Sequence, residues 1–163
     1  MVVFNMSFTA PINQQGRPTL TASQAWNCVA FKVRHAEKFV PAIVKTEILS
    51  QSSTEVKRRV KFAPGGHPAG NQYAEETCRL YEPCRVDFVS ADGSVITNAI
   101  SAGSGRDGED LYYTYIFEWR HPEIMEDTAE ADAQREADWK TTRLAVSATI
   151  DAMHRLVAEG SIL

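Results

Sequence analysis

Cysteine and histidine are too scarce and too scattered in this sequence to suggest a disulfide framework or a metal centre. Cys28, Cys78 and Cys84 are odd in number and include no Cys-x-x-Cys pair, which favours a reducing compartment and a cytoplasmic location. The four histidines lack the i,i+4 spacing of helical zinc ligands. Walker, dinucleotide-binding and Gly-x-Ser-x-Gly motifs are also missing. We therefore expect neither a metal nor a nucleotide cofactor.

Long apolar runs and an excess of positive charge are absent as well. No segment approaches the roughly 20 apolar residues that span a bilayer, and residues 1–13 have neither the basic nor the apolar region of a signal peptide. The formal net charge of −4 argues against binding to nucleic-acid phosphates, which requires a clustered positive surface. We expect no membrane insertion, no signal peptide and no nucleic-acid partner.

Alternation of apolar and polar residues predicts a series of strands. In residues 2–9, Val2, Phe4, Met6 and Phe8 fall on one face and polar residues fall on the other, which is the pattern of a half-buried strand. Six further strands are predicted over residues 43–50, 55–63, 73–82, 85–91, 95–102 and 111–119.

Segments rich in glycine, proline and aspartate connect these strands. Pro64–Asn71 is predicted to be a long, mobile hairpin loop. Ala91–Ser94 contains an Asp-Gly hairpin turn, and Ser104–Gly108 is another hairpin loop. Connections of this length join antiparallel neighbours, so the sheet is predicted to be mostly antiparallel.

A first helix is predicted between the first two strands. Thr21 and Gln24 form a Thr-x-x-Gln capping box, in which each side chain can satisfy a free backbone N–H at the start of the helix. Pro41 requires the helix to stop before it, because a residue that precedes proline avoids the α conformation. The apolar stripe of this helix consists of Trp26, Val29, Val33 and Ala36.

A long helix is predicted at the C-terminal end, from about residue 128 to residue 159. Asp127 and Glu130 are a candidate cap, and Gly160 follows its last turn. Its apolar stripe consists of Trp139, Thr142, Val146, Ile150, Met153 and Val157. The order of elements predicts a single α+β domain over residues 1–163, in which a seven-stranded, curved antiparallel sheet wraps around this helix.

Several segments of the sequence also resemble a known family. They are FTAPIN at 8–13, LTASQAW at 20–26, KFVPAI at 38–43, RRVKF at 58–62, LYEPCRVDF at 80–88, ITNAIS at 96–101 and YTYIFEW at 113–119. With the order of elements, they resemble the START-like (SRPBCC, Bet v 1-like) superfamily and, within it, the DUF1857 family. The superfamily implies a helix-grip fold and a cavity for lipids, sterols, polyketides or hormone-like molecules; some branches cyclise or dehydrate their ligand. DUF1857 is defined by sequence alone and implies no function of its own.

Two charged residues lie on strand faces that are otherwise apolar. Arg58 shares a face with Val56 and Val60, and Glu76 shares one with Cys78. Because the two strands form a hairpin, these charges could pair inside the protein. An unpaired interior charge would be very costly. The pair could be structural, a shifted register could place both residues outside, or the arginine fork could anchor a ligand carboxylate, carbonyl or hydroxyl.

A third polar residue and a row of aromatic residues complete the candidate binding site. Asn98 lies between Ile96 and Ile100 and is predicted to point inward, either as a satisfied core amide or as a partner for a ligand carbonyl. The predicted cavity-lining residues, which could equally well form a plain packed core, are Tyr113, Tyr115, Phe117 and Trp139.

Three functions are compatible with this pattern. The first is binding of a hydrophobic, lipid- or polyketide-like molecule between the sheet and the C-terminal helix. The second is a metal-independent cyclase or dehydratase that uses the same cavity, with Glu76 as acid or base, Arg58 stabilising enolate charge, and Asn98 or a tyrosine as hydrogen-bond partner. The third is an interaction module with a filled core, for which a homodimer is the simplest assembly.

Overall fold

The structure, a computed structural model, describes residues 1–67, 71–105 and 108–163. Its strands are β1 (Val2–Pro11), β2 (Ile43–Gln51), β3 (Glu55–Phe62), β4 (Tyr73–Tyr81), β5 (Arg85–Ser90), β6 (Val95–Ala102) and β7 (Leu111–His121). Its helices are α1 (Ala22–Arg34), a 3₁₀ turn (Ala36–Lys38) and α2 (Ala129–Ala158). The seven predicted strands and the C-terminal helix are therefore confirmed to within two residues at each end, whereas α1 ends at Arg34 and Ala36 lies in the 3₁₀ turn. The predicted loops 64–71 and 104–108 include residues 68–70 and 106–107, which lie outside the described residues.

The seven strands form one antiparallel sheet in the order β1-β7-β6-β5-β4-β3-β2. Strands β2 to β7 follow one another as hairpins, whereas β1 crosses to pair with β7, with Met6 opposite Phe117. Helix α2 packs against β1 and β7, and α1 contacts α2 and strands β2, β3 and β6. This arrangement confirms the predicted helix-grip fold. In the described part of the chain, neither helix is long and apolar enough to cross a membrane.

The period-two and helical patterns determine which side chains enter the core. On β1, Val2, Phe4 and Met6 are buried, as predicted, while the residues between them are exposed. The inward stripe of α2 is confirmed too: its buried apolar members include Val146, Ile150 and Met153. The apolar face of α2, whose residues recur every 3.6 positions, thus packs on the apolar face of the sheet, whose residues recur every two positions. Residues of both faces form the main core.

The start of α2 differs from the prediction by one residue. Thr128, not Asp127, is the N-cap: its hydroxyl accepts the backbone N–H of Ala131 at 3.1 Å. Asp127 instead has a left-handed backbone, with φ of 58°. Aspartate is among the few residues that tolerate this conformation, which lets the chain turn before the helix. Both residues are common caps, so their sequence alone could not separate these roles.

Replacing Thr128 with alanine should destabilise the protein by about 1 kcal/mol, because a free N–H in the first turn of α2 loses its acceptor. Chemical denaturation measures this free energy of unfolding. The matched control is Asp127→Asn, since asparagine also tolerates a positive φ. A free energy of unfolding of Thr128→Ala equal to that of the wild type would show that Thr128 does not cap α2.

Candidate functional site

Arg58 and Glu76 form an ion pair on the inner face of the sheet. They lie directly opposite each other on β3 and β4. The Arg58 Nε and Nη2 atoms donate to Glu76 Oε2 at 2.8 and 2.7 Å. The Arg58 side chain is 4% exposed and that of Glu76 is 13% exposed. The predicted inward orientation and pairing of these two residues are thus confirmed.

The same guanidinium also anchors α1 to the sheet. Arg58 Nη1 donates to the backbone carbonyls of Lys32 and Val33 at 3.0 and 2.9 Å. These carbonyls belong to the last turn of α1, where helical carbonyls lack intrahelical partners. The guanidinium carbon also lies 4.8 Å from the centre of the Phe88 ring. Most Arg58 donors are therefore occupied by the protein itself, which favours the structural interpretation of this residue over the ligand-anchor interpretation.

A buried lysine that sequence reasoning missed lies next to this pair. Lys32 on α1 is 3% exposed. Its Nζ donates to Asn98 Oδ1 at 2.9 Å and contacts the Tyr115 hydroxyl. The amine also lies 4.3 Å from the centre of the Tyr115 ring and 5.5 Å from that of Phe88. The sequence does contain a signal for this burial, because residue 32 follows Val29 by three positions and so belongs to the apolar stripe of α1.

Asn98 is fully buried, as predicted, and its amide is only half satisfied. Oδ1 accepts from Lys32 Nζ and from the Tyr113 hydroxyl at 2.7 Å. Nδ2 is buried and has no hydrogen-bond partner. Because both donors bind Oδ1, they fix the orientation of the amide, and its N–H groups do not point at either donor. An unpaired buried donor is costly and needs an explanation.

The charges around Lys32 favour its neutral form. Burial lowers the pKa of Lys32 well below its usual range, and the positive Arg58 lowers it further, while Glu76 opposes the shift. Because the charges of Arg58 and Glu76 cancel, a protonated Lys32 would leave a net positive charge in the interior. Burial also raises the pKa of Tyr113 well above its usual range, so this phenol stays neutral. The cluster is therefore polar and holds an amine that can act as a base or nucleophile.

The four aromatic residues predicted to line a cavity do not lie together. Tyr113, Tyr115 and Phe117 are buried on the inner face of β7 and belong to the main core. Trp139 is half-buried and packs in a second cluster, beside Phe4 of β1. The three strand residues thus share one cluster and Trp139 belongs to another, and a cavity lined by all four stays a prediction.

Surface clefts among the described residues include two of several hundred Å³. One, of about 430 Å³, lies between the 3₁₀ turn and α2 and is lined in part by Phe39 and Ala152. These two residues are themselves nearly buried and belong to the same core cluster as Tyr113 and Tyr115. The other, of about 370 Å³, lies on the outer face of β2–β4 and is lined by Lys45, Glu47, Arg59, Lys61 and Tyr73. The predicted cavity residues line neither cleft, so their role stays a prediction.

The family whose model matches the chain is described as "Acetylaranotin biosynthesis cluster protein L", abbreviated AtaL, and the match covers residues 6–160. A search of curated proteins found no match to the sequence.

Solved structures with the same fold include aromatase/cyclases. The Zhui aromatase/cyclase from Streptomyces sp. R1128 aligns with a TM-score of 0.63 at 16% identity, covering 96% of each chain. The di-domain ARO/CYC StfQ of the steffimycin biosynthetic pathway aligns with a TM-score of 0.69 at 9% identity, covering 98% of this chain and 52% of StfQ. Ara h 8.0201 aligns with a TM-score of 0.55 at 12% identity, covering 97% and 99%. These likenesses establish the Bet v 1-like helix-grip fold.

Replacing Arg58 with methionine should destabilise the protein by about 3–5 kcal/mol, because Glu76 and two carbonyls of α1 lose their partner in the interior. The double variant Arg58→Met, Glu76→Gln should recover part of this loss, since it removes the uncompensated carboxylate. Denaturant unfolding of the two variants and the wild type measures both effects.

The matched control for this cycle is the Arg59–Glu75 pair on the same two strands, which faces outward at 2.6 Å with both side chains exposed. Arg59→Met should change stability little, since exposed ion pairs contribute little. Equal effects of Arg58→Met and Arg59→Met would show that Arg58 anchors nothing.

The three thiols should differ sharply in reactivity. Burial raises the pKa of Cys28 and of Cys78 to about 12, whereas Cys84 is exposed. The thiolate is the reactive form, so iodoacetamide at pH 8 should alkylate Cys84 in the folded protein and all three cysteines after unfolding. Mass spectrometry of the peptides counts the modified thiols. Rapid native alkylation of Cys78 would contradict the burial of this residue in the main core.

Proposed function

We propose that this chain, which belongs to the AtaL family, binds a hydrophobic small molecule of lipid- or polyketide-like chemistry between its sheet and α2. The observation that carries this proposal is the buried, unpaired Nδ2 of Asn98. A ligand oxygen beside this amide would supply the acceptor that the protein withholds. The likeness in fold to the aromatase/cyclases Zhui and StfQ supports the same class of ligand.

The surroundings of Asn98 suit a flat ligand that carries carbonyl or hydroxyl groups. Tyr113, Tyr115 and Phe88 present aromatic rings around it, and Phe117 stacks on Tyr115 with ring centres 4.9 Å apart. Aromatic surfaces favour offset-stacked or edge-on contact with other rings. Small-molecule sites typically combine such apolar walls with a few convergent polar groups. Asn98 and Lys32 are the polar groups of this site.

The cleft between the 3₁₀ turn and α2 is the entry route that we propose for the ligand. Phe39 lies at the base of this cleft and joins the core. Arg155 of α2 crosses the opening and donates to the Lys38 carbonyl at 2.7 Å, although its side chain is about half exposed. A single exposed hydrogen bond is weak enough to open for a ligand.

A second candidate function is a metal-independent cyclase or dehydratase acting on a polyketide-like ligand in the same place. The neutral amine of Lys32 beside the Tyr115 hydroxyl favours it, because proton transfer needs groups of this kind. Glu76 is a poorer acid or base than its sequence position suggested, since Oε2 already accepts two hydrogen bonds from Arg58. Asn98 keeps its proposed role as a donor to developing enolate charge.

Four finer assignments are part of the proposal. The DUF1857 branch is proposed on the resemblance of the sequence segments between residues 8 and 119. A single domain over 1–163 is supported by the one continuous sheet, and a cytoplasmic location by the three free cysteines. Homodimerisation stays a prediction without an assigned interface.

Titration of the protein with a planar anthraquinone and with anthracene, followed by tryptophan fluorescence, tests the binding proposal. The wild type should bind the anthraquinone more tightly. Asn98→Asp, ionised against a protonated Lys32, keeps the acceptor for Lys32 and Tyr113 but removes the unpaired donor, so it should lose about tenfold in anthraquinone affinity, the equivalent of one hydrogen bond. Its anthracene affinity should hardly change.

The control variant is Asn27→Asp on the exposed face of α1, which should bind both compounds as the wild type does. Equal anthraquinone affinity in Asn98→Asp and wild type would remove Asn98 as the anchor. The binding function would be refuted if the wild type bound neither of these compounds and also did not bind a fatty acid tested in parallel.

A further inference from the structure

We propose that Lys32 is a nucleophile that forms a carbinolamine and then an imine with a ketone or aldehyde group of the bound ligand. This inference rests on the proposed ligand-binding function and adds a covalent step to it. It assigns the site a substrate class, a carbonyl compound, with 1,3-dicarbonyls as the favoured members.

The position of Lys32 sets it apart from the other lysines of the chain. Lys32 alone is buried; the remaining lysines are exposed or half-exposed, and they are Lys38, Lys45, Lys57, Lys61 and Lys140. Helix α1 directs the Lys32 side chain into the interior, toward β6 and β7. A lysine that served only solubility would gain nothing from burial, which costs the free energy of desolvating its amine.

The groups around Lys32 keep its amine unprotonated and thus nucleophilic. Strands β3 and β4 present the ion pair of Arg58 and Glu76 together with the protonated thiol of Cys78. Strand β7 presents the phenols of Tyr113 and Tyr115, and α2 presents the Thr149 hydroxyl, which lies 3.3 Å from the Tyr115 hydroxyl. The ion pair has no net charge and the other groups are neutral. A neutral lysine in desolvated surroundings of this kind is the activated form that Schiff-base chemistry requires.

Two neighbours are placed to assist the attack on a carbonyl. Asn98 Oδ1 lies 2.9 Å from Lys32 Nζ, and the unpaired Nδ2 belongs to the same amide. A carbonyl whose oxygen accepts from Nδ2 would therefore have its carbon close to the amine. The Tyr115 hydroxyl contacts Nζ and reaches Thr149. It can relay a proton from the attacking nitrogen.

The reaction needs no oxidant, reductant or second substrate. The nitrogen lone pair forms the N–C bond while the C–O π bond breaks, and a nitrogen proton moves to the oxygen to give the carbinolamine. Loss of the hydroxyl group with a second nitrogen proton releases one water and leaves the C=N bond. With a 1,3-diketone, the imine tautomerises to a conjugated enaminone, which is stable enough to isolate.

Incubation of the full chain with pentane-2,4-dione tests this directly. The enaminone absorbs in the near ultraviolet, and peptide mass spectrometry identifies the modified lysine. We expect one equivalent at Lys32, with a rate that changes little between pH 7 and pH 9. Labelling of Lys57, which is exposed on β3, should rise about 100-fold over this range, because its amine becomes about tenfold more deprotonated per pH unit.

Two variants serve as controls. Lys32→Met should remove the pH-insensitive part of the near-ultraviolet band, and Lys57→Met should keep both the label at Lys32 and anthraquinone binding. If Lys32→Met fails to fold, the comparison of Lys32 with Lys57 inside the wild type still decides the question. A wild type that binds anthraquinone but is labelled at Lys32 no faster than at Lys57 overturns the nucleophile and leaves the binding function intact. A wild type that neither binds nor labels overturns both.

Discussion

The Arg58 guanidinium is the contact on which the interior arrangement depends. It joins β3 to β4 through Glu76 and holds the last turn of α1 through two backbone carbonyls. Because α1 is fixed in this orientation, the Lys32 side chain enters the sheet interior and meets Asn98 and Tyr115. A cation that is buried at the junction of two strands and a helix therefore positions a second basic group that would otherwise remain in water.

The charged groups beside Lys32 have no net charge as long as Lys32 itself is neutral. Arg58 and Glu76 cancel each other, so the cheapest state of Lys32 is the uncharged amine. Hydroxyl and amide groups then supply its hydrogen bonds without adding charge. The one polar atom that this network leaves unpaired, Asn98 Nδ2, lies beside that amine. The unpaired amide donor and the neutral amine thus lie at the same place, and both proposals concern that place.

Sequence periodicity predicted the strands and the inward direction of Arg58, Glu76 and Asn98, because the side-chain period of a strand needs no tertiary information. The same periodicity places Lys32 on the apolar stripe of α1, but lysine normally keeps its amine in water, so only the packing of α1 shows that this amine is buried. The separation of Trp139 from the β7 aromatics has a related reason. A helical stripe defines a face, but the point along it where each residue meets the sheet depends on how the helix crosses the strands.

The pairing of β1 with β7 has a consequence for how the protein assembles. Thr9 and Thr114, which are hydrogen-bonded neighbours on these strands, are separated by 105 positions. While a ribosome is still producing the middle of the chain, β1 has no partner, and the apolar row of Val2, Phe4 and Met6 faces water. Contacts this distant in sequence slow folding and prolong the exposure of apolar surface and unpaired strand edges. The growing chain should therefore bind chaperones through β1 and release them once β7 emerges.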